Sequence, residues 1–160
     1  MAEVKPIPDG YPRVSPYLHI DGAQKAMEFY SNVFGTTERV RMAGPDGRIG
    51  HAELDLGDSL IMLSDEAPEM GAKAPTAYGG SPVTIAVYVD DVDATFDRAI
   101  EAGATTVRPV ENQFYGDRTA DFDDPFGHRW HIATHVEDVP PEEMERRMAE
   151  MAQGQAGGDG

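Results

Sequence analysis

The chain has 160 residues, 40% of them hydrophobic, with no cysteine and a formal net charge of −16 from 13 basic and 29 acidic residues. That length suits one ordinary domain or two small half-domains sharing a core, and the missing cysteines exclude disulfides, thiolate catalysis and cysteine-based zinc sites. The acidity, read as a solubility device, argues against nucleic acid and anionic membranes as partners, and no apolar run approaches the roughly 18 residues that span a bilayer.

Residues 1–10 carry proline and charge without an apolar core, so a secretory signal is not expected and the expected compartment is the cytoplasm. Residues 14–20 (VSPYLHI) alternate as a strand and end at Asp21-Gly22. A helix follows over Ala23–Phe34, with Ala26, Met27, Phe29, Tyr30, Val33 and Phe34 gathered on one side and Gly35 as its stop. Pro45-Asp46-Gly47-Arg48 is a turn before a strand over Ile49–Leu56, and Gly57-Asp58 is a tight hairpin into Ser59–Leu63. A Pro-, Gly- and Ala-rich linker covers residues 66–81.

The same order then returns about 69 residues later. Val83–Val89 alternates and ends at Asp90-Asp91; a helix over Val92–Ala102 is stopped by Gly103. Tyr115-Gly116-Asp117 turns into Arg118–Asp123, and Asp124-Pro125-Phe126-Gly127 turns into His128–Thr134. Each half reads as strand, helix and three strands, giving modules at about 12–65 and 82–136 within one domain over 12–139. Beyond it, Pro140, Pro141 and the glutamates after them predict a C-terminal helix over 140–153 with a stripe of Met144, Met148 and Met151, followed by a disordered tail over 154–160.

Alternation sorts the side chains of each strand between a face packed on the helix and a face left free. On the free face fall Ser15, Tyr17 and His19; His51, Glu53 and Asp55; Leu60 and Met62; Thr84, Ala86 and Tyr88; and Arg129, His131 and Ala133. Curled into a cup, this face would offer a polar and aromatic lining suited to a small organic ligand. The plainer reading of each residue, taken singly, is the solvated side of a half-exposed sheet. Trp130 belongs to the core by parity, His128 supports a turn or strand start, and His135 lies at the exit of the last strand. Asp117 and Arg118 either pair at the cup's rim or cap a turn.

These repeated halves, together with Phe29-Tyr30…Phe34-Gly35 and the turn Asp124-Pro125-Phe126-Gly127-His128-Arg129-Trp130, resemble the vicinal-oxygen-chelate (glyoxalase, bleomycin-resistance and dioxygenase) superfamily. Residues 14–18 (VSPYL), Tyr115-Gly116-Asp117-Arg118 and the ending 132–139 (IATHVEDV) are similar to its PhnB-like branch. The resemblance implies an α+β fold in which two βαβββ modules form a curved mixed or antiparallel sheet, helices on the outer face and an open cup inside. A homodimer is also implied, because many members complete their cups with strands from both subunits or both halves; pairing within the chain and swapping between chains both remain open at this point.

The superfamily's metal enzymes take one ligand from the first and one from the fourth strand of each module. Those positions fall here on Ser15, Met62, Thr84 and His131, of which only His131 is a metal donor of the required kind. No metal or other cofactor is therefore expected. A shifted donor set of His19, His51, Glu53 and His131 is the alternative.

The leading functional expectation is a metal-independent small-molecule-binding protein using Tyr17, His19, Glu53, Met62, Thr84, Tyr88 and Tyr115. A second is an enzyme of lyase, isomerase or dioxygenase-like type with His131 and His51 as acid–base groups, Glu53 orienting His51. A third is a dimeric interaction or regulatory module in which the methionine-striped helix matters more than the cup.

Overall fold

Hydrogen bonding along the alternating segments produces eight strands and three helices in a computed structural model that describes residues 4–156. The first module runs β1 (Tyr17–Ile20), α1 (Ala23–Phe34), β2 (Thr37–Ala43), β3 (Ile49–Leu56) and β4 (Ser59–Asp65). The second runs β5 (Thr84–Tyr88), α2 (Val92–Glu101), β6 (Thr105–Asn112), β7 (Asp117–Asp123) and β8 (Arg129–His135). Between them the linker folds two short 3-10 turns, Pro68–Met70 and Pro75–Tyr78. The C-terminal helix α3 covers Pro141–Ala156, so it continues past the start of the expected tail; the rest of that tail, 157–160, lies outside the described residues.

The α+β class and the doubled βαβββ order are those predicted. Each module makes its own four-stranded mixed sheet, ordered β1-β4-β3-β2 and β5-β8-β7-β6. In both, the first strand runs parallel to the fourth and the other pairs are antiparallel. The register repeats as faithfully as the order: Tyr17 pairs with Met62 in the first sheet, and Ala86 with His131 in the second, each displaced by 69 positions. Helix starts follow the same rule. Asp65, at the end of β4, accepts the amide of Ala23 at 2.8 Å, and Thr134, 69 residues later, accepts that of Val92 at 2.9 Å. Each thereby satisfies an amide that the first helical turn leaves free.

Helix α1 buries Ala23, Ala26, Met27, Phe29, Tyr30 and Val33, an arc wider than a single apolar stripe. One flank packs on β1, β3 and β4 of its own sheet. The other carries aromatic rings onto the second sheet: Phe34 lies 4.8 Å from Trp130 on β8 and 6.3 Å from Phe122 on β7, and Tyr30 lies 5.2 Å from Trp130. The apolar faces of both sheets therefore share one core, with Trp130, Phe122, Ile132, Ile20 and Leu63 fully enclosed. Burial of this aromatic area is the main stabilising contribution, since each large ring removes about 150–250 Å² from water. A consequence is that the alternate faces of the two sheets point away from the core as two polar walls, and no strand pairing joins the sheets among the described residues.

Asp124 secures the junction. Its carboxylate accepts the Tyr30 hydroxyl at 2.6 Å, the Trp130 indole N–H at 2.9 Å and the backbone amides of Phe126 and His128. Burial pushes the Tyr30 phenol well above its usual pKa, and the neighbouring Asp124 charge adds to that shift. Next to it His128, as the sequence suggests, supports the strand start and also reaches the His19 carbonyl of β1 at 3.2 Å.

Candidate functional site

On the first module's polar wall, β1 contributes Tyr17 and His19, β3 contributes His51 and Glu53, and β4 contributes Met62 and Ser64. Pairing places Tyr17, Met62 and Glu53 in one row across three strands. Glu53 is 5% exposed, and burial alone would raise its pKa. Hydrogen bonds from His51 and Tyr11 outweigh that, and the carboxyl sits below its usual range as an ionised acceptor.

The rest of the chain of contacts follows from that charge. Tyr11 donates its hydroxyl to Glu53 Oε2 at 2.9 Å, and His51 Nε2 lies 3.0 Å from Glu53 Oε1. An ionised carboxylate only accepts, so Nε2 carries the hydrogen between them, and in the tautomer with a single hydrogen the Nδ1 lone pair points outward. Tyr17 places its hydroxyl 3.0 Å from that Nδ1. His19 lies beside Tyr17, with ring centroids 5.4 Å apart, and its Nδ1 is 3.2 Å from the Ser64 hydroxyl. Tyr17, His19 and Ser64 open into a cavity of ≈ 700 Å³ that Met42 and Met70 flank with apolar surface.

The second wall is built differently. The row equivalent to Tyr17, Met62 and Glu53 is Ala86, His131 and Asp121. His131 Nδ1 binds Asp121 at 2.5 Å, and Arg108 lies 3.5 Å from the same carboxylate. Four residues earlier on β7, Asp117 takes the Tyr88 hydroxyl at 2.7 Å and His135 Nδ1 at 2.8 Å, while His135 Nε2 binds Asp138 at 2.8 Å. Asp138 and then Asp117 stabilise the imidazolium and raise the His135 pKa. Burial opposes ionisation of Asp117, yet His135 and Tyr88 leave it lowered.

Of the residues predicted for a site, Tyr17, His19, His51 and Glu53 thus meet in one network, with Met62 in their row. His131 and Tyr88 belong to the other wall, and no hydrogen bond links His131 to His51. Thr84 is exposed at the start of β5 opposite Arg129, and Tyr115 stands edge-on to Phe114 at 5.3 Å before β7. The suggested pairing of Asp117 with Arg118 is not formed: Arg118 grips Asp93 with two contacts of 2.7 Å, while Asp117 turns inward. Alternation points neighbouring residues of a strand to opposite faces, which is why the two separate. Sequence reasoning missed Tyr11, which precedes the repeated unit, and the aspartates 117 and 121 as histidine partners. The 68-residue displacement from Glu53 to Asp121 is the signal that could have found the latter.

A second cavity, ≈ 400 Å³, runs along the seam between the modules, lined by Val14, Pro16, Leu60, Ile85, Val87 and Tyr88. A third, ≈ 720 Å³, lies against the linker glycines and the Asp123–Arg129 pair and holds none of the candidate residues.

The positions that carry metal in related enzymes do not fit a cation here. Ser15 precedes β1, and its buried hydroxyl has no hydrogen-bond partner; Met62 offers a thioether, Thr84 a hydroxyl, and His131 already engages Asp121. Among the described residues, no group of three or more His, Asp or Glu is placed to hold a metal ion, the shifted set of His19, His51, Glu53 and His131 included. A single imidazole beside a thioether and two neutral hydroxyls is too poor a donor set for a divalent cation in an N/O site.

Residues 17–132 match the model of the Glyoxalase/Bleomycin resistance protein/Dioxygenase superfamily. The chain is 43% identical over 146 residues to the uncharacterized protein Rv0887c of Mycobacterium tuberculosis, covering 89% of this chain and 86% of that one. Among solved structures it is similar to TioX from Micromonospora sp. ML1, with 29% identity, a TM-score of 0.57, and 77% and 96% of the two chains covered. A PhnB protein from Bacillus cereus shares the fold at a TM-score of 0.61 and 16% identity, over 77% of this chain and 99% of that one.

Proposed function

Because the chain belongs to the Glyoxalase/Bleomycin resistance protein/Dioxygenase superfamily, we propose that it binds a small organic molecule on the polar wall of its first module, without a metal ion. The observation that carries this reading is the ≈ 700 Å³ cavity bordered by Tyr17, His19 and Ser64 together with Met42 and Met70. It combines a few fixed polar groups with adaptable apolar surface, which is the composition of ligand sites. Tyr17, Met42 and Met70 are exposed in the single chain. Both polar walls look outward, so each forms half of an enclosure, and a second copy of the chain supplies the other half by laying its second module, with Thr84, Tyr88 and Tyr115, over the first module of its partner. A symmetric pair of this kind closes two equal cups at once.

A thermal-shift screen against small metabolites and antibiotics, with and without chelator, tests the reading. At least one compound should raise the melting temperature in a concentration-dependent manner unaffected by chelator, and Tyr17→Ala should weaken that response about tenfold or more. A response that vanishes on chelation, or that Tyr17→Ala and His19→Ala leave intact, would overturn it. Sedimentation of the same samples should show a dimer.

A further inference from the structure

The order carboxylate, imidazole, hydroxyl along Glu53, His51 and Tyr17 has a chemical meaning beyond binding. A hydroxyl within hydrogen-bond reach of a base, with the base oriented by a third group, is the geometric signature of an activated nucleophile. Here the hydroxyl-to-base distance is 3.0 Å and the base-to-carboxylate distance is 3.0 Å. Glu53 is buried and held from its far side by Tyr11, so the imidazole has one orientation, with its lone pair on the Tyr17 hydroxyl. Tyr17 lines the cavity; His51 and Glu53 stand behind it in the relay and do not. Across the row, the second module has Ala86 in place of Tyr17, so this series exists on one wall only.

We propose that Tyr17, His51 and Glu53 form an acyl-transfer relay, and that the cavity of the first module accepts a small ester. Tyr17 Oη attacks the ester carbonyl carbon while its proton passes to His51 Nδ1. The C–O bond to the leaving group breaks, its electron pair departs on the alcohol or phenol oxygen, and that oxygen takes the proton from His51. Water then repeats the sequence on the acyl-Tyr17, releasing the acid and restoring the phenol; no oxidant or further reactant enters. Glu53 acts as a positioning residue for the imidazole. His19 faces the same cavity with Nδ1 engaged by Ser64, which leaves its Nε2 for the carbonyl oxygen. The inference rests on the first module's cavity being open to ligands, as proposed above.

p-Nitrophenyl acetate is the probe, used on the full chain at neutral pH. Nitrophenolate release above the solution rate is expected, with an acetyl group mapped to Tyr17 by mass spectrometry of the acid-quenched protein. Tyr17→Phe and His51→Asn should each reduce the rate about a hundredfold, Tyr78→Phe should leave it unchanged, and Glu53→Gln should lower kcat with little change in KM. Circular dichroism and the melting temperature of each variant report folding separately. Full activity in a folded Tyr17→Phe variant, or acetylation confined to Lys5, Lys25 or Lys73, would overturn the relay. A compound that binds in the screen above while Tyr17 stays unacetylated removes the relay and leaves the binding site; no binding by any compound together with Tyr17 acetylation does the reverse.

Discussion

The two modules share strand order, register and the side chain that accepts each helix's first amide, yet they build the same polar wall with opposite chemistry. In the first, one buried carboxylate orders a tyrosine, a histidine and a second tyrosine into a line that ends at an open cavity. In the second, carboxylates engage the imidazoles directly: Asp117 and Asp138 clamp His135 from both sides, and Asp121 holds His131 beside Arg108. A ring with a carboxylate on each nitrogen has nothing left to offer a ligand, whereas His51 passes its lone pair outward. The duplicated scaffold therefore separates one wall whose line of hydrogen bonds ends at an open cavity from one whose carboxylates hold its own histidines.

The largest test of the comparison lies at the turn between the last two strands of each module. The first module turns through Gly57-Asp58; the second uses a longer loop, and that loop carries Asp124. Asp124→Ala leaves the Tyr30 hydroxyl, the Trp130 indole and two amides without their acceptor, and should cost about 3–5 kcal/mol in urea unfolding. Asp55→Ala, which removes the half-exposed partner of Arg39 on the first module, should cost under about 1 kcal/mol. Equal losses would mean that Asp124 does not secure the junction.

Gly116 comes next. Its φ is +100°, and a Cβ there would collide with the Glu137 carbonyl, so Gly116→Ala should destabilise by about 2–3 kcal/mol. No such close approach surrounds Gly47, which has φ +81° in the corresponding first-module turn, and Gly47→Ala should cost about 1 kcal/mol. A melting-temperature difference in the same order checks the pair.

A smaller effect follows from the charges. The His135 pKa is raised in the folded chain, so its pairing stabilises fully below the unfolded histidine value of about 6.5 and is lost as pH rises through the higher folded value. Glu53 is lowered, so its contribution is present above about pH 4.3 and fades as pH falls through the folded value. His135→Gln should therefore reduce the melting temperature more at pH 5.5 than at pH 9, and Glu53→Gln more at pH 7 than at pH 3. A His135→Gln penalty that grows with pH would contradict the clamp. The least effect is expected from Tyr11→Phe, about 1 kcal/mol or less, measured in the same way.

Much of the fold was legible because repetition made it so. A helix over Ala23–Phe34 and another from Val92 could be placed from apolar spacing, acidic starts and glycine stops, and alternation assigned Trp130 and Ile132 to the core and His131 to the opposite face. What alternation cannot convey is which way a whole sheet faces. That depends on Phe29, Tyr30 and Phe34 reaching a strand some ninety residues away, a tertiary choice with no local mark. The site divides similarly. Tyr17, His19, His51 and Glu53 were legible as residues sharing a face, but Tyr11 enters from a segment with no periodicity, and the second histidine system depends on aspartates whose parity, though readable, carries no hint of their partner.

The aromatic wedge has one further consequence. With Phe29, Phe34 and Tyr30 filling a space that belongs to the other half, neither copy of the ancestral unit retains a finished interior. Two fragments cut at the linker should therefore gain structure on mixing that neither has alone, which circular dichroism of each fragment and of the mixture would check.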